Sequence, residues 1–372
     1  MSLVLEKICQ TPLKNIAEKI FNQQRLTEED ALTLYESPDL LSIGALADYA
    51  RKIRVKSPAQ DYAYFVNNLH INLTNICEGS CKFCAYRKKK GDEGSYFLSE
   101  TDVEEYLNTY VLKNVKELHI VSALNENANL NYYKKLFKKC KEILPEAHIQ
   151  ALTAVEIDYI SKNENLEPPK VLTELKKAGL GSLPGGGAEI FHETIRLKVC
   201  PDKVSADRWL EIMKIAHSCG IPSNATMLAG IGESYAHRVD HLSRIRSLQD
   251  ETGGFMTFIP LVCHYENTSL EVAKNNTGVD NLKDLAIARL YLDNVPHVKA
   301  FWIQLGLKMA QLSLAFGVDD LDGTVVKEQI SRAAGADKTH TVTVGLLIDL
   351  IKSASRIPVE RDTVYNIIKV YR

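Results

Sequence analysis

The sequence lacks long apolar runs and has almost no excess charge of either sign. No apolar stretch approaches the roughly eighteen residues that a membrane-spanning helix needs, and the opening MSLVLEKICQ leads into polar sequence without a secretory cleavage pattern. Lys and Arg number 45 against 47 Asp and Glu, so the chain offers a polyanion no large positive field. We therefore expect a cytoplasmic protein that binds neither membranes nor nucleic acid.

Cysteine is too sparse for a disulfide scaffold, with eight in 372 residues. Three of the eight stand together in CEGSCKFC, as Cys77, Cys81 and Cys84. The other five share no ligand spacing and are expected to be small buried side chains; they are Cys9, Cys140, Cys200, Cys219 and Cys263. The clustering favours metal binding in a reducing compartment.

The chain divides into a helical beginning and a longer alternating part. Residues 1–60 show helical periodicity and cap-like starts, which predict an N-terminal helical extension. In residues 61–372, short β-rich runs alternate with amphipathic helical stretches. We interpret this second part as one catalytic domain, a barrel with C-terminal helices.

Eight strand candidates follow one another in the second part. They are LHINLTNIC (69–77), ELHIVSA (117–123), HIQALTAVE (148–156), LGSLPGGGAE (180–189), SNATMLAG (223–230), FMTFIPL (255–261), VKAFWIQL (298–305) and VDDLDG (318–323). Eight βα units predict an α/β fold, a (β/α)8 TIM-type barrel. A doubly wound open sheet is the alternative, but no GxGxxG opens the first unit.

The unusual residues follow the predicted strands, where barrel enzymes carry their active sites. The cysteine motif follows the first strand, PGGGAE ends the fourth, and VCHYENT follows the sixth. Three thiolates on one loop can hold three corners of an iron-sulfur cube and leave the fourth iron open. Protein-ligated clusters and structural zinc usually have four ligands, so the lack of a nearby fourth favours an open iron. A zinc site completed by a distant residue is the alternative.

CEGSCKFC, with Phe83 before its last cysteine, resembles the signature of the radical S-adenosylmethionine (SAM) superfamily. The resemblance implies a [4Fe-4S] cluster on the three cysteines, and SAM as co-substrate. In that superfamily the open iron chelates SAM, and an electron from the cluster cleaves it to a 5'-deoxyadenosyl radical. An electron donor such as flavodoxin or ferredoxin is implied too.

The resemblance also suggests which residues bind the cofactor. Ser122 and Ala123 stand where the superfamily usually has two glycines that receive the methionine amino group. In PGGGAEIF the glycines open the backbone for close approach, and Glu189 accepts hydrogen bonds from SAM or instead pairs with a neighbouring barrel residue. The cofactor-binding candidates are Phe83, Tyr86, Ser122, Ala123, Glu156, Gly186, Glu189 and Met227.

Much of the chain from about residue 60 onward resembles the aminofutalosine synthases of the futalosine route to menaquinone. The matching segments include SLPGGGAEIF, CPDKVSADRWLEI, LDNVPHVKAFW, FGVDDLDGTVV and IPVERDTVYN. The resemblance implies that the adenosyl radical adds to the enol ether of 3-[(1-carboxyvinyl)oxy]benzoate, followed by rearrangement and decarboxylation to aminodeoxyfutalosine.

A substrate with two carboxylates needs cationic or hydrogen-bonding partners near the barrel mouth. The candidates are Arg87, Asn224, His264, Glu266 and Asn267. The alternatives are a hydrogen-bonded loop histidine for His264 and a solvated charged loop for Arg87 in RKKK.

Three segments depart from the family pattern, at Ser122, at Ile231 in LAGIGES and at Tyr265 in HYENT. Rival functions remain at this stage. One is the cyclic dehypoxanthine futalosine synthase, or another radical SAM enzyme of the same group; the other is a non-catalytic iron-sulfur or zinc protein.

Overall fold

The computed structural model describes Ile8 and residues 11–271, 276–336 and 342–372, so Cys9 lies outside the described part. From residue 11 to the first strand, the described α-helices are Lys14–Phe21 (α1), Glu28–Glu36 (α2) and Leu40–Ile53 (α3). The start of α2 is fixed by a capping box, in which Thr27 and Asp30 each accept a hydrogen bond from the other's backbone N–H. The helical beginning predicted from periodicity is therefore present.

Nine strands follow the helical beginning, and two more end the described chain. They are Tyr62–Val66 (β1), Asn68–Ile71 (β2), Glu117–Ile120 (β3), His148–Ala151 (β4), Leu180–Ser182 (β5), Ser223–Ala229 (β6), Phe255–Val262 (β7), His297–Val298 (β8), Asp320–Gly323 (β9), Ile357–Arg361 (β10) and Ile367–Val370 (β11). All residues of β6 are buried, as expected for a strand covered on both faces.

The strands from β1 to β9 close into a barrel. The strands β2 to β5 pair in order, and so do β6 to β8. Single parallel bridges join Leu183 to Ser223 and Lys299 to Asp320, linking β5 with β6 and β8 with β9. Strand β9 pairs with β1, which leads into β2. Counted with β1 and β2 as one strand, the described residues form an eight-stranded parallel barrel, and the predicted fold is confirmed.

Helices follow most of the strands. They are Glu100–Asn108 (α4), Leu130–Ile143 (α5), Ala154–Asn163 (α6), Pro168–Ala178 (α7), Glu193–Val199 (α8), Ala206–Ser218 (α9), Tyr235–Thr252 (α10), Gly278–Tyr291 (α11), Trp302–Leu305 (α12), Leu307–Ser313 (α13), Ile330–Ala333 (α14) and Val344–Ser353 (α15). Among the described residues, no helix combines the length and apolar character needed to cross a bilayer.

Several strands end earlier than the sequence predicts. The first predicted strand, 69–77, ends at Ile71. Beyond it, the side chain of Asn72 donates to Val121 O and Thr74 N donates to Ser122 Oγ, because side-chain hydrogen bonds replace the backbone hydrogen bonds of a sheet here. The fourth, 180–189, ends at Ser182, because Pro184 cannot donate and the glycines after it turn the chain.

The strand prediction is wrong at one place in the C-terminal third. Residues 298–305 are predicted to be one strand, but Trp302–Leu305 form a short helix whose Trp302 indole donates to Gly323 O at 2.8 Å. A predicted C-terminal helix is present as α15, and it is followed by the pair β10 and β11, which the sequence did not predict; β10 lies beside β1.

The N-terminal helices are joined to the barrel by buried polar contacts. Tyr35 of α2 donates its hydroxyl to Asp284 of α11 at 2.9 Å, and Lys283 donates to Tyr35 O at 2.6 Å. Arg54, just after α3, donates to Arg289 O at 2.7 Å. The helical beginning therefore packs on α11 as part of the barrel's outer layer.

Candidate active site at the carboxyl ends of the barrel strands

A cavity of about 330 Å³ opens at the carboxyl ends of the strands. Cys77, Cys81 and Cys84 line it, together with side chains from the ends of all the barrel strands except β1. Half-buried Phe301 and buried Leu228 add apolar surface. The cavity thus places the sequence-predicted cysteines beside a partly apolar, partly polar space.

Residues 77–84, which we call the cluster loop, are held by backbone hydrogen bonds to three other segments. Cys77 N donates to Lys88 O at 3.1 Å, Glu78 N to Leu124 O at 3.0 Å, and Lys82 N to Val199 O at 2.8 Å. Gly79 N lies 3.3 Å from Cys77 Sγ, as a donor to that sulfur. The loop therefore has a fixed course although it carries no helix or strand.

The thiols of the cluster loop suit a multi-iron group. All three cysteines are free of disulfides, and burial raises the pKa of Cys81 and of Cys84, so a bound cation is needed to hold them as thiolates. Within the described residues, no three His, Cys, Asp or Glu side chains converge on a single-ion position. Three free thiols on one loop that all line the cavity are a donor set that a cluster with one open iron can use.

Glu156 and Ser122, two predicted cofactor residues, contact each other at the cavity wall. Glu156 accepts from Ser122 N at 3.1 Å and from Thr153 N at 2.7 Å, the second bond forming the capping box of α6. Burial raises the pKa of Glu156 to about 7, opposed by these backbone donors. The carboxylate thus ties the ends of β3 and β4 together where both border the cavity.

The glycine-rich turn after β5 allows close backbone approach. A Cβ on Gly185 would lie 2.3 Å from Asn224 O, and one on Gly187 would lie 2.4 Å from a Val155 methyl, both at positive φ. Gly186 lines the cavity. Only glycine satisfies both the conformation and the space at these positions.

Glu189 pairs with Lys203, which supports the alternative considered for it from the sequence. The two side chains form a short ion pair, and both line the cavity. The Lys203 ammonium also lies 5.1 Å from the ring centre of Phe83. In the sequence, Phe83 stands between Cys81 and Cys84 of the cluster loop. Sequence reasoning missed Lys203, although it stands in the quoted segment CPDKVSADRWLEI.

Tyr86 is buried, and its hydroxyl contacts two partners beside the cavity. It donates to Thr74 O at 3.1 Å and lies 2.5 Å from the hydroxyl of Tyr96, which in turn donates to Asn72 O. Burial raises the pKa of Tyr86 far above the ordinary tyrosine value. Tyr86 thus remains a neutral phenol that fixes the segment after the cluster loop.

The predicted substrate residues fall into two groups. Arg87, Asn224 and His264 line the cavity, and the last donates from Nε2 to Gln304 O at 2.9 Å. Glu266 and Asn267 are exposed and are absent from the described lining. Asn267 instead donates to Ala333 O, which fastens the segment around α14.

Met227 also departs from the prediction. It is fully buried but absent from the described cavity lining, whereas its neighbours Thr226 and Leu228 are present there. Because side chains alternate along a strand, Met227 faces the outer helices and not the barrel interior. Ala123 does line the cavity, next to Ser122.

Two of the segments that depart from the family pattern contact each other. Tyr265 donates its hydroxyl to Gly230 O at 2.8 Å. Glu233 accepts from the backbone N–H groups of Gly230 and Ile231, both at 2.8 Å, and is itself paired with Arg238. The changed residues therefore form one connected structure at the end of β6.

Sequence reasoning also missed polar side chains inside the barrel. His70, His119, Gln150 and Lys299 line the cavity below the strand ends. The sequence contained a signal for the two histidines. The tripeptide LHI occurs in both of the first two predicted strands, and it places a histidine where a core residue would be apolar.

Two family descriptions match the chain. Residues 71–245 match the radical SAM superfamily, and residues 252–372 match the CofH/MqnC C-terminal region. Together they cover the barrel from the end of β2 onward, apart from residues 246–251, and the segments that follow it.

Characterised relatives with three different activities resemble the chain over most of its length. Aminodeoxyfutalosine synthase of Thermus thermophilus is 42% identical over 96% of both chains. Cyclic dehypoxanthine futalosine synthase of Halalkalibacterium halodurans is 34% identical, again over 96% of both. A 5-amino-6-(D-ribitylamino)uracil--L-tyrosine 4-hydroxyphenyl transferase of Archaeoglobus fulgidus is 38% identical over 83% of this chain and 89% of its own.

Among solved structures, the hydrogenase maturase HydG of Carboxydothermus hydrogenoformans superposes with a TM-score of 0.75 at 14% identity, covering 97% of this chain and 83% of its own. This likeness concerns the fold alone. The cysteine loop at the barrel mouth, the two matched regions and the full-length relatives agree. The chain belongs to the radical SAM superfamily, enzymes that use a [4Fe-4S] cluster and SAM, and within it to the group with the CofH/MqnC C-terminal region.

Proposed function

We propose that the chain is an aminodeoxyfutalosine synthase of menaquinone biosynthesis, which joins the adenosyl group of SAM to 3-[(1-carboxyvinyl)oxy]benzoate. The observation that carries the proposal is the 42% identity to the Thermus thermophilus enzyme over 96% of both chains. The Streptomyces coelicolor enzyme of the same name is 38% identical over 96% of this chain. Rearrangement and decarboxylation of the adduct complete the reaction.

The cluster loop would hold the cluster through Cys77, Cys81 and Cys84. When bound, the cluster supplies the electron that cleaves SAM to an adenosyl radical. The chain's own contribution is to position the reactants and exclude water. The ion pair of Glu189 with Lys203 and the carboxyl group of Glu156 line the cavity wall, and they are suited as partners to the ammonium and carboxylate of the methionine part.

The substrate's two carboxylates require cationic or donor groups on the rest of the wall. Arg87 and His264 line the cavity from segments that follow β2 and β7, and Asn224 lines it from within β6. Leu261 and Phe301 offer apolar surface to the aromatic ring. A cavity of mixed character fits an aromatic dicarboxylate better than a purely apolar molecule.

We place this activity in the cytoplasm, with a flavodoxin or a ferredoxin as electron donor. The cysteines of the cluster loop are unpaired, and a cluster on such thiols needs a reducing compartment.

The proposal is tested by anaerobic reconstitution, reduction and mass spectrometry of the products. With SAM and 3-[(1-carboxyvinyl)oxy]benzoate, we expect aminodeoxyfutalosine and methionine. Failure to consume this substrate, with the cluster fully loaded and SAM cleaved, would contradict the proposal.

Cyclic dehypoxanthine futalosine synthase is the second candidate, favoured by the 34% identity over 96% of both chains. The same assay distinguishes the two candidates when dehypoxanthine futalosine replaces 3-[(1-carboxyvinyl)oxy]benzoate as the substrate. A cyclised product together with free 5'-deoxyadenosine would establish this candidate in place of the first.

A further inference from the structure

Polar side chains form a layer inside the barrel, one residue before the ends of three neighbouring strands. His70 of β2, His119 of β3 and Gln150 of β4 are in register and line the cavity. Lys299, directly after β8, lines it as well. We call these four residues the floor. The cluster loop follows the end of β2, so the floor lies deeper in the barrel than the cysteines.

Lys299 has hydrogen-bonding capacity to spare. The residue is 4% exposed, and its ammonium makes one hydrogen bond, to Asp322 Oδ1 at 3.2 Å. Bonds between ammonium and carboxylate groups are usually about 2.7–2.9 Å long, and an ammonium has three donors. Within the described part of the chain, two donors of a buried cation therefore lack acceptors, which is unfavourable unless a ligand supplies them.

The neighbouring side chains add neutral donors. His70 Nε2 is buried without a hydrogen-bond partner, and its ring stacks on His119 with centroids 4.4 Å apart. Burial lowers the pKa of His70 well below the ordinary histidine value, so the ring is uncharged near neutral pH. Asn224 uses its amide to donate to Gln150 at 3.3 Å, and a primary amide has a second N–H to give.

Two buried carboxylates lie near the floor: Asp322, which lines the cavity and accepts the bond from Lys299, and Glu117, whose Oε2 has no hydrogen-bond partner among the described residues. Glu117 does not belong to the described cavity lining; it lies 3.8 Å from His119 Nδ1 and accepts from Asn68. Burial raises the pKa of Asp322, and the nearby Lys299 ammonium opposes that shift. Lys299 is therefore paired with a carboxylate and still has two ammonium donors without an acceptor among the described residues, at a position that lines the cavity.

We propose that the floor, together with Asn224 beside Gln150, binds the ring carboxylate of the benzoate substrate, with Lys299 as its ionic partner and His70 and Asn224 as neutral donors. This inference rests on the proposed function. The enol ether must face the cofactor at the cluster loop, so the carboxylate on the far side of the ring points into the barrel. Lys299 then sets the preference for an aromatic acid.

The test compares the substrate with its analogue that lacks the ring carboxylate, by calorimetric titration of the reconstituted, unreduced holoenzyme. Losing one member of a desolvated charge pair weakens binding by about 30-fold or more. The wild-type protein should therefore prefer the substrate by about that factor, and Lys299→Met should bind both compounds within about threefold of each other. A preference that survives in Lys299→Met would overturn the inference.

Two further variants separate binding from folding. Lys299→Met leaves Asp322 without its partner, so Lys299→Met/Asp322→Asn repeats the test with both members of that ion pair replaced by uncharged side chains. Lys283→Met is the matched control: this buried lysine donates to Tyr35 O outside the described cavity lining, and its loss should leave the preference intact.

Kinetics distinguish the two proposals. In the adduct assay, Lys299→Met should raise KM for the substrate while SAM cleavage continues. If the wild-type protein makes no adduct, the proposed function fails; if it makes adduct but the ring-carboxylate preference does not depend on Lys299, only the floor inference fails.

Discussion

Glu156 is a buried carboxylate that accepts two backbone hydrogen bonds, from Ser122 and Thr153. Its folded pKa of about 7 lies above its ordinary value of 4.5, so the folded protein holds this proton more tightly than the unfolded chain does. The resulting stabilisation is complete below about pH 4.5 and is lost as the pH rises through about 7.

We therefore expect Glu156→Gln to behave differently from the wild type across pH 5 to 8. The variant does not titrate at this position, so the free energy of unfolding of the wild type relative to the variant should fall by about 2–3 kcal/mol over that range. Urea unfolding at several pH values measures it. Exposed Glu167, whose side chain caps nothing, provides the control Glu167→Gln. A difference between wild type and Glu156→Gln that does not vary with pH would contradict this assignment.

Cys81 is expected to be essential for the cluster. Cys81→Ser should lose most of the iron and all SAM cleavage, because a serine hydroxyl is a poor ligand for iron in a cluster. Iron analysis after anaerobic reconstitution checks this. Cys219→Ser, at a half-buried helix end away from the described cavity lining, should retain about four irons. Equal iron in the two variants would exclude the cluster loop as the site.

The cluster loop was predictable because its cysteines are close together in the sequence. Site residues that come together only through contacts between distant segments were not predictable. The three cysteines lie within eight residues, so their chemistry can be read from sequence. Lys203 meets Glu189 only after α8 turns the chain back, and Lys299 joins His70 only when the barrel closes. Met227 is predicted to bind the cofactor, but its place in the alternation along β6 keeps it out of the described cavity lining.

At the scale of elements, the turn after β5 depends on glycine more strongly than the loop that contains Gly91 does. Gly187 and Gly91 have similar φ values of 85° and 91°, but a Cβ on Gly187 meets Val155 at 2.4 Å while one on Gly91 meets nothing within 4 Å. Both substitutions to alanine carry the left-handed backbone cost of about 1–2 kcal/mol.

Gly187→Ala should therefore destabilise the protein by about 1–3 kcal/mol more than Gly91→Ala does, because steric overlap is added to backbone strain. Denaturant midpoints of the two variants measure the difference. Equal midpoints would show that the turn relaxes freely and that its closeness to α6 does not matter.

The alternation of strands and helices in the barrel was predictable because apolar residues recur with different periods in strands and in amphipathic helices. Short elements were not predictable in this way. The apolar run at residues 298–305 does not distinguish a buried strand from a helix, and burial of the Trp302 indole against Gly323 O decides for the helix. Strand β10 pairs with β1, which lies almost 300 residues earlier in the sequence. No local sequence pattern could therefore predict the position of β10 in the sheet.

At the scale of the whole molecule, a buried polar network runs from the N-terminal helices toward the cavity. Tyr35 donates to Asp284, which pairs with Arg238, and Arg238 pairs with Glu233 of the loop after β6. The helical beginning is thus connected to the loop that also contacts Tyr265.

Removing one hydroxyl tests this connection. Tyr35→Phe should lower the free energy of unfolding by about 1–3 kcal/mol, because a buried carboxylate loses a donor, and unfolding should remain a single transition. Tyr49→Phe is the control, since the Tyr49 hydroxyl makes no hydrogen bond within the described residues and its ring packs on Phe21. An unchanged stability in Tyr35→Phe, or separate unfolding of the N-terminal helices, would contradict the account.

The central claim is that the cluster loop generates an adenosyl radical that becomes part of the product. The most direct measurement follows an isotopic label at the 5'-carbon of SAM in a single anaerobic turnover with 3-[(1-carboxyvinyl)oxy]benzoate. The account predicts the label in aminodeoxyfutalosine, with methionine released in equal amount. Label found only in free 5'-deoxyadenosine, with the benzoate unchanged, would contradict it.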